Sequence, residues 1–414
     1  MYQLHRGDQS GDYMANHKLA PLEGQRGIAA VVVFLHHFLL GFHPTLTGVL
    51  PSLSSPNSLA GSPLFVLVNG AGAVFFFFTL SGFVLSWGYF HDPEGKSMFW
   101  AAVKRWPRLA GPVVLTTMAS VVMFHLGLFA FQAAGAKSGS PWLSAFAYST
   151  LADYSPSLGF GLWQGMTTFI TGEANLNTSL WTMVYEYYGS LAVFALAPLL
   201  LRLPRRIAYG VLAVCLALTV FRPSNLPLAV AALGLAFLLP FLSGMGLAFL
   251  LSRPARRPEM GWVPTVALVV AGLYLLGYHH PSPAYGWAAP LVAVSAEEVA
   301  RPLVYTLGAS LLILATMMGR ELYAALDRPF MKNLGRISFP LYLVHVLIIA
   351  SASSWLYVNV LPDGGPVLFA VTLALCLMVS RFLLLFDEWW VGRVNATTAA
   401  ARRVLAVRRH GILQ

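Results

Sequence analysis

Charge is what this sequence has least of. Only 10% of its 414 residues are Asp, Glu, Lys or Arg, against roughly 25% in a typical soluble domain. A soluble protein of this length could bury a large core, but it would still need a charged exterior, and the residues to build one are missing. Cysteine is also scarce. Cys215 and Cys376 are the only two, both inside apolar runs, which excludes a cysteine-built metal site and a disulfide framework and leaves the redox compartment open. No phosphate-binding P-loop occurs, which excludes a self-contained ATP-driven pump. No internal repeat, low-complexity tract or second soluble domain is evident.

What is abundant is apolar sequence, 57% of the chain. Hydropathy marks ten candidate spans at 27–43, 65–90, 109–133, 181–201, 206–221, 226–251, 262–278, 303–319, 337–358 and 366–386. With the N-terminus inside, the inner connections and their borders carry 22 Lys and Arg, while the outer loops carry Lys137, Arg222 and Arg301. That asymmetry is a positive-inside signal placing both termini in the cytoplasm. The net charge of +10 therefore reports topology, and nucleic acid is not expected as a partner. Residues 1–26 are polar and the first apolar run comes late, so the first span is expected to act as its own insertion signal.

The expected fold is an all-α polytopic membrane protein, about ten transmembrane helices in one bundle. Residues 1–386 form the transmembrane domain and 387–414 a basic cytoplasmic tail. Basic connections such as RPARRP (253–258) lie inside. The longest outer loop, 134–180, carries Trp142 and Trp163, and a second, 279–302, carries HHPSPAYGW and the pair Glu297-Glu298.

An ionisable group within a span costs about 2.5–3.5 kcal/mol on insertion scales, so each is a functional candidate. RGIAAVVVFLHH (26–37) places Arg26 and His37 eleven residues apart. Eleven residues are about three helical turns, leaving both on nearly the same face and about 16 Å apart in depth, with His36 about 100° away. The bland alternative is a pair of packing residues bonded to neighbouring helices. SLWTMVYEYYGS (179–190) puts Glu186 near His37 in depth, and a carboxylate that fixes an imidazole tautomer is what a general base needs. Trp181 and Tyr185 beside it fit an interfacial aromatic belt. Ser338, Tyr342 and His345 in ISFPLYLVH form one polar stripe at i, i+4 and i+7. Thr79, Ser81 and Gly82 in the second span fit close helix packing, and the GxG at 70–72 lacks the third glycine of a dinucleotide fingerprint. Arg105 and Arg108 in KRWPRLAGP serve as inside charge, and their forks also match phosphate oxygens.

Together RGIAAVVVFLHH, VFFFFTLSGFVLS (74–86), KRWPRLAGP, SLWTMVYEYYGS and LGRISFPLYLVH (334–345) resemble, in order, the landmarks of the membrane acyltransferase-3 family. The resemblance extends over nearly the whole chain. The family's R-x10-H pattern falls on Arg26 and His37 and its W-S-L-x-x-E pattern on Trp181 and Glu186, with Thr182 in place of serine. Its R-x-x-R falls on Arg105 and Arg108. Its Ser/Tyr/His stretch falls on Ser338, Tyr342 and His345, with Phe339 and Pro340 as departures. The resemblance implies transfer of an acyl group, most often acetyl from acetyl-CoA, to a hydroxyl of a carbohydrate or small acceptor, without a metal. Acyl-CoA would dock its phosphates on Arg105, Arg108 and Arg26, and its pantetheine arm would pass Ser81. His37, oriented by Glu186, would either deprotonate the acceptor or carry the acyl group. Trp181, Tyr185, Ser338, Tyr342 and His345 would hold substrate or support the site. The expected location is a cell membrane, as in a bacterial inner membrane, and the expected acceptor an envelope glycan or its precursor. A macrolide-like small molecule or a lipid is the alternative acceptor. Ten spans with mid-membrane charge also suit a transporter, against which the lack of inverted repeats argues.

Overall fold

A computed structural model of the chain describes residues 19–53, 58–145, 155–220, 235–252, 259–280, 282–295 and 297–411. Its main helices are α1 (Ala20–Phe42), α2 (Gly70–His91), α3 (Met98–His125), α4 (Leu158–Thr171), α5 (Met183–Arg202) and α6 (Arg205–Val220). They continue with α7 (Leu235–Leu251), α8 (Trp262–Leu276), α9 (Glu297–Met318), α10 (Pro329–Ile348) and α11 (Pro366–Gly411). No strand occurs among the described residues, only an isolated bridge between Met260 and Gly319. An all-helical chain suits a bilayer, because every backbone polar group is satisfied within its own segment.

Each of the ten apolar segments carries a helix, and seven of the described helices are long and apolar enough to cross a membrane. The three shorter ones are α6, α7 and α8. The expected stretch 226–234 and the connection 253–258 lie outside the described residues. Helix starts follow local chemistry. Asn69 caps α2 by accepting from the Gly72 amide at 3.1 Å, Ser157 caps α4 through Phe160 at 3.1 Å, and Pro329 occupies the first turn of α10, where a missing N–H costs nothing.

Three boundaries differ from those read in the sequence. α3 begins at Met98, so Arg105 and Arg108 lie within a helix and not in an inner loop. The segment read as the longest outer loop contains short helices at Phe131–Ser138 and Pro141–Ser144, together with α4, which packs on α3 and α5. The helix of the tenth span, α11, continues unbroken to Gly411.

α2 lies at the centre, packed against α1, α5, α7 and α9. It meets α7 closely because Gly82 and Gly244 carry no side chain there. A Cβ on Gly82 would collide with the Phe241 carbonyl, and one on Gly244 with that of Thr79. α1 and α10 are joined in the same way, with Gly27 against Leu334 and Gly335 against the backbone of Glu23. Small residues thus bring together the helices that carry the polar groups. α10 then widens into a π-helical turn, Ile349–Ser353, whose Ala350 carbonyl accepts from the Ala130 amide at 3.1 Å.

Candidate active site

The polar groups of the bundle gather at two levels along the α1–α10 pair. The first lies near the helix ends that carry the Lys- and Arg-rich connections. Arg26 on α1 donates through Nε to Ser338 Oγ at 3.0 Å and through a terminal nitrogen to the Gly335 carbonyl at 3.2 Å, and it pairs with Glu23 at 2.6 Å. Arg105 is buried. Its Nε donates to Ser190 Oγ at 2.9 Å, and its terminal nitrogen forms an ion pair with Glu186 Oε1. The same carboxylate oxygen accepts from Ser81 Oγ at 2.8 Å. These groups open onto one cavity of about 190 Å³, lined among others by Arg26, Ser81, Arg105, Arg108, Glu186, Arg336, Ser338 and Tyr342. Four guanidinium groups on so small a space make an anion-accepting mouth, because each presents a rigid fork of donors.

The second level lies deeper, between His37 on α1 and His345 on α10. The Nδ1 of His345 lies 3.1 Å from the Leu341 carbonyl, and its Nε2 lies 2.9 Å from His37 Nδ1. His37 Nδ1 is also 3.1 Å from the Val33 carbonyl. Carbonyl oxygens only accept, and this fixes the tautomers of the neutral pair. His345 carries its proton on Nδ1 and offers Nε2 as acceptor. His37 therefore carries its proton on Nδ1, shared between His345 and Val33, and its Nε2 keeps a lone pair. Trp142 stacks on the His37 ring with centroids 5.0 Å apart. His36 turns away, as helical phase requires, and donates to the Val68 carbonyl at 2.9 Å.

The two levels are connected along one face of α10. Ser338 lies at the cavity beside Arg26, Tyr342 lines the cavity one turn further, and His345 follows one turn beyond. The Tyr342 hydroxyl donates to the Ser179 carbonyl and accepts from Thr182 Oγ1, both at 2.8 Å, so the stripe is held in place by α5's entry turn.

Glu186 does not touch His37. The carboxylate–imidazole contact expected from depth alone is replaced by two separate pairs, Glu186 with Arg105 and His37 with His345. The reason is electrostatic: a permanently charged fork is the stronger partner for a carboxylate in a low-dielectric interior. Trp181 and Tyr185 also lie elsewhere, packed on Phe237, with Tyr185 stacked on it at 4.0 Å and Trp181 40% exposed. The 3₁₀ turn Thr178–Thr182 that precedes α5 changes the angular phase, so Thr182 and Met183 line the cavity instead. Ser190 was not foreseen, although its i+4 spacing from Glu186 is a readable signal. Trp142, remote in sequence, offered none. Among the described residues no group of three or more His, Cys, Asp or Glu side chains is placed to hold a metal.

A family model for the acyltransferase-3 domain, described as an acyltransferase domain, matches residues 20–381. The chain belongs to the acyltransferase-3 family. No curated protein and no solved structure matches it. The family match begins at the first residue of α1 and ends within α11, so both polar levels of this membrane acyltransferase lie inside the acyltransferase domain.

Proposed function

We propose that the protein transfers an acyl group, acetyl in the first instance, from acyl-CoA to a hydroxyl of an envelope glycan or glycan precursor. The observation that supports this best is the pairing of an arginine-lined cavity with a deeper imidazole whose Nε2 is left as a lone pair. Acyl-CoA phosphates sit at the mouth, on Arg26, Arg105 and Arg108, from the cytoplasmic face that the positive-inside signal assigns. A cavity of about 190 Å³ suits a slender pantetheine arm. Ser81, Ser338 and Tyr342 line that path.

At the deeper level His37 Nε2 takes the proton of the acceptor hydroxyl. The freed oxygen attacks the thioester carbonyl, the new C–O bond forms as the C–S bond breaks, and the proton passes from His37 to the leaving thiolate. His345 is a positioning residue: it holds His37 in the tautomer that leaves Nε2 basic, the role a carboxylate plays in other catalytic triads. Glu186 is also a positioning residue, and its ion pair holds Arg105 at the cavity wall. The glycan approaches from the opposite end of the bundle, where Trp142 covers His37 and Trp287 is exposed.

Mass spectrometry of envelope glycans and secreted metabolites, with and without the gene, tests this reading. A glycan mass difference of one acetyl group is the expected result. A shift on a small secreted molecule would move the acceptor class. No acyl difference anywhere, with no CoA released by purified protein given acetyl-CoA and glycan, would overturn it.

A further inference from the structure

The residues of KRWPR (104–108) on α3 are tied one after another to neighbouring helices, except the last. Lys104 donates to Asn395 Oδ1 of α11 at 3.4 Å, and Arg105 is held by Ser190 and Glu186 of α5. Trp106 Nε1 donates to the Met166 carbonyl of α4 at 3.1 Å. The Pro107 carbonyl accepts from Trp390 Nε1 of α11 at 2.7 Å. Arg108 is exposed at the cavity and makes no ion pair among the described residues, and its acidic neighbour there is Asp387. Its fork of donors is the one left for a ligand.

α11 sets the direction of that fork. Trp389 and Trp390 are adjacent on it and behave oppositely. Trp389 is 57% exposed, as an interfacial aromatic is. Trp390 lies over Gly111, where a Cβ would collide with its indole, and it stacks on Phe386 with centroids 6.2 Å apart. Pro107 and Gly111 are four residues apart and share one face of α3. Arg108 lies about 100° round the helix from Pro107, and Arg105 about 160°. The face that receives Trp390 therefore adjoins the face that lines the cavity. Turning α3 about its axis would swing Arg108 out of the mouth, and it would first have to break the indole hydrogen bond. The family match stops at residue 381, so this contact comes from the part of α11 beyond it.

We propose that Trp390 is a positioning residue of the donor site: its indole N–H, seated over Gly111, fixes the rotation of α3 and so aims Arg108 at a donor phosphate. The inference rests on the reading of the cavity as an acyl-CoA site. It makes the extension of α11 a working part of that site, where the sequence suggested only a basic tail.

Binding of CoA to the purified full chain in lipid nanodiscs is measured by titration calorimetry, with a melting temperature for each variant. Trp390→Phe keeps a ring against Phe386 and removes the N–H. It is expected to weaken CoA binding about three- to tenfold at a near-native melting temperature. Gly111→Ala displaces the indole while leaving its N–H in place, and should weaken binding in the same way; it carries the test if Trp390→Phe does not fold. Trp389→Phe should bind CoA like the wild type. The deciding measurement is the cycle with Arg108→Ala. If Trp390 acts through Arg108, adding Trp390→Phe to Arg108→Ala weakens CoA binding no further. A merely structural tryptophan would give losses that multiply. Wild-type affinity in Trp390→Phe or Gly111→Ala, or multiplying losses in the cycle, overturns the proposal while the donor site stands. A wild-type protein that binds no CoA overturns the donor-site reading and this inference with it.

Discussion

The arginine level and the histidine level of the α1–α10 pair satisfy their polar groups in opposite ways. Near the bundle end three of the four cavity arginines have an anionic partner: Arg26 with Glu23, Arg105 with Glu186, Arg336 with Glu388 at 2.5 Å. Deeper in, no carboxylate among the described residues touches His37 or His345, and each ring nitrogen with a partner meets a backbone carbonyl or the other imidazole. The difference follows from the cost of charge away from water. Full charges stay where a counter-ion and solvent are near, while a group that can be neutral is carried further in. The proposed transfer from acyl-CoA would use both, since the donor's phosphates need fixed charge and the hydroxyl's proton needs a neutral base.

Removing the base is the strongest way to break this comparison. His37→Ala is expected to lower acyl transfer roughly 10²–10⁴-fold, the usual contribution of a positioned general base. CoA release by purified protein measures the loss, and membrane abundance should stay within error of wild type. Transfer at a tenth of the wild-type rate or more would show that the imidazole level does not carry the chemistry.

The arginine level should fail differently. Glu186→Gln keeps the side chain's shape but leaves a buried guanidinium unpaired, which costs about 3–5 kcal/mol when such a pair is broken. The single variant is expected to lose both thermal stability and CoA affinity. The double variant Glu186→Gln, Arg105→Met is expected to recover much of the stability but not the affinity. If Glu186→Gln leaves the melting temperature unchanged and only slows transfer, the carboxylate acts in the chemistry and not as an anchor for Arg105.

Loss of His345 tests whether the imidazoles work as a pair. His345→Ala is expected to lower kcat by roughly 10–10² while leaving KM for the donor near wild type, because Arg26, Arg105 and Arg108 are untouched. His345→Asn, which can still offer an acceptor to His37 Nδ1, should recover part of the loss. A purely packing role for His345 would instead show as lost stability, with no difference between Ala and Asn in kcat.

Helical phase made much of this arrangement legible in the sequence. Eleven residues between Arg26 and His37, and i, i+4, i+7 among Ser338, Tyr342 and His345, placed each set on one face, and α1 and α10 bring those faces together. Partner choice was not legible, because periodicity orients a residue on its own helix and says nothing about which helix stands opposite. Glu186 was matched to His37 by depth, yet α3 lies against α5 and supplies Arg105 first. Trp181 turned away from the cavity because of a local irregularity, since a 3₁₀ turn leaves no mark in hydropathy, while Tyr185 follows regular helical phase and packs on Phe237 instead. The end of α11 escaped for a related reason. Falling hydropathy after Phe386 marks where a span stops, while the Ala- and Arg-rich sequence beyond it continues the helix to Gly411.

The smallest expected effect separates the two adjacent histidines. His36 bonds the Val68 carbonyl at 2.9 Å and packs over Gly70, where an added Cβ would strike its ring. It thereby ties α1 to the entry of α2 on the side away from His345. His36→Ala removes one hydrogen bond and a little packing, so transfer is expected to fall no more than about threefold, with a stability loss of about 1 kcal/mol. His36→Asn should restore most of that stability by keeping a donor near Val68. A His36→Ala enzyme as inactive as His37→Ala would mean that the imidazole level includes a third ring. The single lone pair on His37 Nε2 would then not be the base.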